Sequence, residues 1–280
     1  AWEAWSRRDA GRYHPGECLH KWGSFRGAGT PVTGGTLVQM AKEQGWQPPE
    51  QEAGQELDWN DTISWEKENL VIVDKNWIEG KEIREPEKWD PAKELITYLE
   101  TLFDADDYVG YVTRSWSRPG EEKKYPDKGC CDRTAKKLIQ ELSRCKGDIG
   151  AVLGDYDPEV GAWIRFNPMD GKGGKNENVT EYRYALVESD ATDLEEQNAI
   201  IRNLELPVAC LVHSGNKSLH AIVRVEAADY NEYRKRVDYL YDVCKKNGLQ
   251  VDQQNRNPAR LSRMPGILRN GKKQFLIDTN

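Results

Sequence analysis

Between residues 182 and 278, apolar runs of strand length alternate with amphipathic runs of helix length in a fixed order. That order is strand, helix, strand, strand, helix, strand, and few folds accommodate it. The first strand is predicted over 182–189. Thr192 and Glu195, at capping-box spacing, open a helix that runs to about Asn203. Strands follow at 208–213 and 219–225, joined by a Ser-Gly-Asn-Lys turn. Asp229 and Glu232 cap a second helix on which Tyr233, Val237, Leu240, Tyr241 and Cys244 share one face, with Gly248 as its stop. A strand over 274–278 closes the set. The fold class is therefore α+β, with an RRM-like (ferredoxin-like) sheet over about 180–280. The fold alone fixes no activity.

Upstream the pattern is mixed. A short apolar strand is predicted at 70–73. Asp90-Pro91 opens a helix to about Phe103, with proline at the first helical position, where a missing N–H costs nothing. A strand at 108–113, an amphipathic helix at 132–144 and a strand at 162–166 complete an N-terminal α/β unit packed with the later sheet. The stretch 51–65 reads as a linker, in continuity with the Pro- and Gly-containing polar run before it. Residues 1–50 form a small Trp-rich helical module, in which Thr36 has capping-box spacing and Gly45 ends a helix. The expected division is 1–50, 51–65 and 66–280.

Charge is unevenly spread. The chain carries a net −7, yet residues 201–280 hold 14 Lys/Arg against 8 Asp/Glu. Phosphates, if bound, belong at that basic end. No apolar run approaches the ~20 residues of a membrane-spanning helix, so no membrane partner is expected. The six cysteines form no Cys-x-x-Cys pair and fit reduced thiols in a cytoplasm rather than a disulfide framework. His14, Cys18 and His20 lie close together but lack an evident fourth zinc ligand. The opening Ala1-Trp2-Glu3, in mid-pattern, reads as the start of an excised piece of something longer.

Three segments carry chemistry. Glu188 and Asp190 end an apolar strand, and alternation along a strand points both carboxylates to one face. Mg²⁺ or Mn²⁺ with bound phosphates would relieve their repulsion; taken alone, the pair serves equally as a solvated strand end. The turn Ser214-Gly215-Asn216-Lys217-Ser218 precedes His220. Its N–H groups, with Lys217, could cradle a triphosphate, or it is a plain hairpin loop. Asp252 adds a third carboxylate, and Arg260 and Arg263, in a Pro-flanked segment, suit phosphate. Farther upstream, Arg165 and Asn167 precede a glycine-rich loop, 170–175, that lacks the Gly-Lys-Ser/Thr ending of a Walker A loop.

Glu188-Ser189-Asp190, Ser218-Leu219-His220 and Val251-Asp252 resemble, in order, the three motifs of the archaeo-eukaryotic primase superfamily, including primase-polymerases of phages, plasmids and mobile elements. Two positions depart from that pattern: the first acid is usually Asp, and the residue between the acids is usually apolar. The resemblance implies ligation of two Mg²⁺ or Mn²⁺ ions by Glu188, Asp190 and Asp252, and contact of His220 with nucleotide phosphate. The residues themselves add candidate nucleotide contacts at Ser214, Gly215, Lys217, Ser218, Arg260 and Arg263, and the resemblance to phage-type primases puts Arg165 and Asn167 near nucleotide or template. The implied activity is template-directed nucleotidyl transfer from NTP or dNTP on single-stranded DNA during replication of a mobile element, with a helicase domain or subunit as partner. The segment 1–46 resembles the small helical module of such primases.

Two other classes compete. A rolling-circle initiation nuclease needs paired histidines on one strand, and here His213 and His220 are separated by a turn. A non-catalytic RRM-like module would bind single strands through aromatic side chains on its open sheet face.

Overall fold

The computed structural model describes residues 6–8, 11, 13–16, 18, 20–21, 43–44 and 82–279. Contacts divide the chain into two units, Ala1–Thr62 and Ile63–Asn280. Within the first, the Cys18 thiol donates to Ser6 Oγ at 3.2 Å. The predicted strand at 70–73, the linker and most of the N-terminal helical segment lie outside the described residues. All three motif segments fall in the second unit.

Helix α1 (Pro91–Leu102) starts as its sequence dictates. Asp90 accepts a hydrogen bond from the Lys93 N–H at 3.2 Å, and Pro91 fills the first position. After α1 come β1 (Tyr111–Val112), β2 (Ser115–Ser117), β3 (Lys124–Pro126), α2 (Ala135–Leu142), α3 (Ile149–Leu153) and β4 (Trp163–Arg165). The last hundred residues give β5 (Tyr182–Val187), α4 (Leu194–Asn203), β6 (Val208–His213), β7 (Leu219–Ala227), α5 (Tyr230–Lys246), β8 (Leu261–Arg263), β9 (Ile267–Arg269) and β10 (Lys272–Thr279). The cap of α4 differs by one residue from expectation. Asp193 accepts from Glu196 N–H at 3.0 Å, while the Thr192 hydroxyl turns back to Ser189 Oγ at 3.2 Å.

The strands form a five-stranded antiparallel sheet, β5-β7-β6-β10-β9, a three-stranded sheet, β1-β4-β8, and the separate hairpin β2-β3. β5 and β6 flank β7, as in a split β-α-β unit. The closing strand β10, however, pairs with β6, whereas an RRM-like closing strand would lie beside the first strand. The strand order thus differs from the expected topology on that side, and β9 extends the same edge. Register shifts in β5, β6 and β10 add twist and curl the sheet.

Both faces of the large sheet are covered. On one, Tyr184, Leu186, Cys210, Val212 and Ile222 pack with Leu95, Leu99 and Leu102 of α1 and Leu138 and Leu142 of α2. On the other, Ala185, Val187, Leu211, Ala221 and Val223 meet Ile200 and Ile201 of α4 and Tyr233, Val237 and Tyr241 of α5. Two-sided burial explains why Tyr184–Val187 of β5 and Val208–Val212 of β6 are continuous apolar runs rather than alternating ones. Each such leucine, fully buried, contributes about 1.5–3 kcal/mol.

Candidate active site

At the C-terminal end of β5 the backbone must turn sharply, and Ser189 provides the means. Its buried hydroxyl accepts from the N–H groups of Ala191 and Thr192, both at 3.3 Å. Glu188 and Asp190 thereby reach different surroundings. The Glu188 side chain is 14% exposed and that of Asp190 66%. The Glu188 carboxylate accepts from Asn255 Nδ2 at 2.8 Å. Burial raises its pKa above the usual carboxylate range, and the charges of Asp190 and Asp252 add to the rise while the Asn255 hydrogen bond opposes it.

Asp252 comes to the same end by two ties. Its N–H donates to the Glu188 carbonyl at 3.0 Å, and its carboxylate caps the short 3₁₀ turn Gln253–Arg256 by accepting from Gln254 N–H at 2.9 Å. Asn255, on that turn, is 1% exposed and bridges two charged groups. While its amide nitrogen binds Glu188, its oxygen accepts from Arg260 Nε at 2.6 Å. Arg260 Nη2 stands 3.6 Å from Asp252 Oδ2. No periodicity marks Asn255; only its place between Asp252 and Arg260 could have drawn notice.

His220 enters from the start of β7, where pairing of His213 with Leu219 closes the hairpin. Its Nδ1 accepts from the Arg263 N–H at 3.2 Å, so the ring proton sits on Nε2, which faces Glu188 Oε1 at 3.9 Å. Ser262 Oγ lies 3.1 Å from the same Nδ1. Burial, with Arg263, Arg269 and Arg260 nearby, pushes the His220 pKa down to about 3. The imidazole is neutral, and the approach to Glu188 is not an ion pair.

The turn between β6 and β7 is internally braced. Ser214 N–H donates to Ser218 O at 3.1 Å, and the two hydroxyls are 3.2 Å apart. Gly215 has φ +72°, and a Cβ there would stand 3.2 Å from Gln274 and 3.3 Å from Arg269. Gln197 of α4 staples the turn, accepting from Leu219 N–H at 2.9 Å and donating to Lys217 O at 3.1 Å. Lys217 Nζ donates to the Asp190 carbonyl at 3.1 Å and lies 3.7 Å from its carboxylate.

Arg263 and Arg269 complete the basic side. Arg263 lies over the Trp163 ring at 4.7 Å and donates to Val160 O at 2.8 Å. Burial and the charge of Arg269 lower its pKa to about 9, against the pull of Glu188 and Asp190. Arg269 donates to Ser214 O at 3.3 Å, and its pKa is lowered by burial while Asp190 and Glu188 oppose the change. Sequence reading missed Arg269, although a signal was present. Asn270-Gly271, both at positive φ, form the two-residue turn of the β9–β10 hairpin and place Arg269 at its mouth.

Asn167 and Arg165 are both engaged within the fold. Asn167 is fully buried, and its amide serves four backbone groups: it donates to Tyr184 O and Pro258 O and accepts from Arg183 and Tyr184 N–H, at 2.8–3.0 Å. No hydrogen-bonding capacity is left for a nucleotide. Arg165 donates to the Ala259 carbonyl and lies under Gly174, where a Cβ would collide with its guanidinium. It props the segment that leads into Arg260. The glycine-rich loop beside it closes on itself through Asp170 and Asn178.

Among the described residues no group of three or more His, Cys, Asp or Glu side chains is gathered tightly enough to hold a metal ion as it stands. The chemistry of the donors nonetheless suits a hard divalent cation, because Glu188 feels the charges of both Asp190 and Asp252. The rival classes find less here. Both faces of the large sheet are packed, so it offers no open face for bases. His213 stacks on Phe275 at 4.9 Å and accepts from Gly215 N–H, an arrangement that serves the hairpin. All six cysteines are free thiols, and among the described residues no helix is long and apolar enough to cross a membrane.

Comparison with known proteins gives three findings. The family described as Primase C terminal 2 (PriCT-2) matches residues 1–41. The AEP domain of the primase-polymerase of Cyanophage S-2L is 19% identical over 67% of this chain and 90% of its own, with a TM-score of 0.43. Primase RepB' is 13% identical over 68% of this chain and 56% of its own, with a TM-score of 0.40. No curated protein sequence matches. The PriCT-2 match supports the resemblance to primases from the end of the chain opposite the acidic motifs.

Proposed function

We propose that the chain is a primase or primase-polymerase of the archaeo-eukaryotic type, with residues 66–280 as catalytic core and residues 1–50 as primase-associated module. It would join nucleotides on a single-stranded DNA template in the replication of a mobile element. One observation carries this reading. Three carboxylates from two segments, Glu188 with Asp190 and then Asp252, meet four cations, Lys217, Arg260, Arg263 and Arg269, around one neutral histidine at a single end of the large sheet.

Glu188, Asp190 and Asp252 would hold two Mg²⁺ or Mn²⁺ ions. Ions held there would supply a lower pKa for the attacking hydroxyl and neutralisation of the leaving pyrophosphate. The arginines and Lys217 hold the triphosphate in line, a positioning and electrostatic role. His220, fixed as the Nε2–H tautomer, donates a hydrogen bond without bringing a charge of its own. The primer 3′-oxygen bonds to the α-phosphorus, the bond from that phosphorus to the bridging oxygen breaks, and the hydroxyl proton leaves to solvent. A helicase partner belongs to the same reading and rests on family resemblance alone.

The test is incorporation of labelled nucleotide on single-stranded DNA, primed and unprimed, with Mg²⁺ or Mn²⁺. Asp190→Asn and Asp252→Asn should each lower transfer by at least about a hundredfold, with unchanged circular dichroism. Full activity in both variants would remove the assignment.

A further inference from the structure

The geometry points to the β2–β3 hairpin as a stacking platform for the single-stranded DNA template. The inference rests on the primase reading and adds where the strand is held beyond the catalytic end. Trp116 of β2 is 46% exposed, an uncommon placing for so large an apolar ring. It is the register partner of Tyr125 of β3, with ring centroids 5.8 Å apart and planes tilted by 37°. The Arg118 guanidinium lies 5.2 Å and Lys123 Nζ 5.4 Å from the Tyr125 centroid.

The charge around these rings fits a phosphate backbone. In a chain of net −7, residues 114–128 bring Arg114, Arg118, Lys123, Lys124 and Lys128 against Glu121, Glu122 and Asp127. Of those acids, Glu121 is already engaged, accepting from Tyr125 Oη at 2.9 Å and lying 3.6 Å from Arg118. A flat, half-open indole flanked by cations offers stacking to any base and attraction to any phosphate. Duplex DNA would use the cations but not the ring, since its bases are already stacked. A protein partner would want more apolar surface than one aromatic pair.

The hairpin is firmly seated. Just after it, Cys130 and Tyr111 of β1 exchange backbone hydrogen bonds, both at 2.9 Å, and Gly129 lies so close to β1 that a Cβ would meet Tyr111 O at 2.5 Å. Its distance from the site is set by register. Val112 of β1 pairs with Trp163 of β4, which pairs with Arg263 of β8. Two strand spacings make about 10 Å, and the four residues from Val112 to Trp116 span at most about 14 Å. A strand leaving Arg263 therefore reaches Trp116 within a few nucleotides.

The experiment measures binding of fluorescent oligo(dT) by anisotropy, beside nucleotide transfer, in wild type, Trp116→Leu and Trp116→Phe. Leucine keeps apolar bulk without a ring face, and phenylalanine keeps a face. Trp116→Leu should weaken oligo(dT) binding about tenfold, leave duplex binding and the melting temperature unchanged, and keep transfer at saturating template. Trp116→Phe should recover most of the affinity. Equal oligo(dT) binding by Trp116→Leu, with transfer intact, overturns the platform and leaves the primase reading standing. Equal weakening toward duplex also overturns it, because the effect would then not be stacking. Selective weakening in a protein that transfers no nucleotide keeps the platform and removes the primase reading.

Discussion

The two larger sheets of the second unit are built on opposite principles, and the candidate site lies at their seam. The centre of the five-stranded sheet, β5, β7 and β6, is made of long, largely apolar strands, buried on both faces and framed by capped helices. The three-stranded sheet is made of pieces two or three residues long, brought together from positions near 111, 163 and 262. From the large sheet come Glu188, His220 and the turn carrying Lys217. From the small sheet comes Arg263, with Ser262 steering the imidazole, and the segment leading into it brings Arg260 and Ala259. The large sheet thus brings Glu188 together with Lys217 and Arg269, and the small sheet with its lead-in segment brings Arg263 and Arg260.

If the small sheet is held in register from outside, Asn167 is the clamp. Its amide ties β5 to the Pro258 carbonyl, just before Arg260 and β8. Asn167→Ala would leave several buried backbone groups without partners, at about 1–3 kcal/mol each before relaxation. The expected outcome is a loss of about 2–4 kcal/mol in denaturant unfolding, together with weaker nucleotide binding per folded molecule. Asn167→Asp should not rescue, because a carboxylate cannot donate to the Tyr184 and Pro258 carbonyls. Lost stability with unchanged nucleotide affinity would show that the two sheets act independently.

Asn255 tests the seam more locally, since one amide holds Glu188 and Arg260 together. Asn255→Ala should lower nucleotide transfer by about ten- to a hundredfold, consistent with loss of hydrogen bonds to charged groups worth about 1.5–3 kcal/mol. Both kcat and KM should change, as an acid and a phosphate-binding arginine are released together. An effect on KM alone would assign Asn255 to Arg260 and not to Glu188.

The same contrast explains what could be read from the chain. Helices α1, α4 and α5 and strands β5, β6, β7 and β10 each bury enough surface to impose a period of 3.6 residues or a continuous apolar run, and each starts at a cap or ends at a turn. Their acids and His220 follow from where those runs stop. Strands β2, β3 and β8 are too short to show a period, and β1 is only two residues of the expected strand at 108–113; the pairings of the small sheet join residues up to about a hundred positions apart. The placing of β10 beside β6 is likewise a choice between two sheet edges that local pattern does not encode. In sequence Asn167 resembles any surface polar group before a flexible loop; only tertiary contact shows its four hydrogen bonds. Asn255 is hidden for the same reason. Arg269 was accessible through the Asn270-Gly271 turn.

Lys217 should give the smallest effect, and its size separates two ways of using a charge. The side chain is 61% exposed, and its contacts with Asp190 are a 3.1 Å hydrogen bond to the carbonyl and a 3.7 Å approach to the carboxylate. An exposed pair of that kind contributes little to stability, about 0–1 kcal/mol. Lys217→Ala should therefore leave the melting temperature nearly unchanged and raise the KM for nucleotide by less than about tenfold. If Lys217 acts as a point charge on the triphosphate, Lys217→Arg restores KM, and the defect of Lys217→Ala shrinks at high salt as screening removes the wild-type advantage. A loss as large as that of Asp190→Asn would mean instead that the lysine fixes the Asp190 backbone, and that the large sheet supplies geometry through its bases as well as its acids.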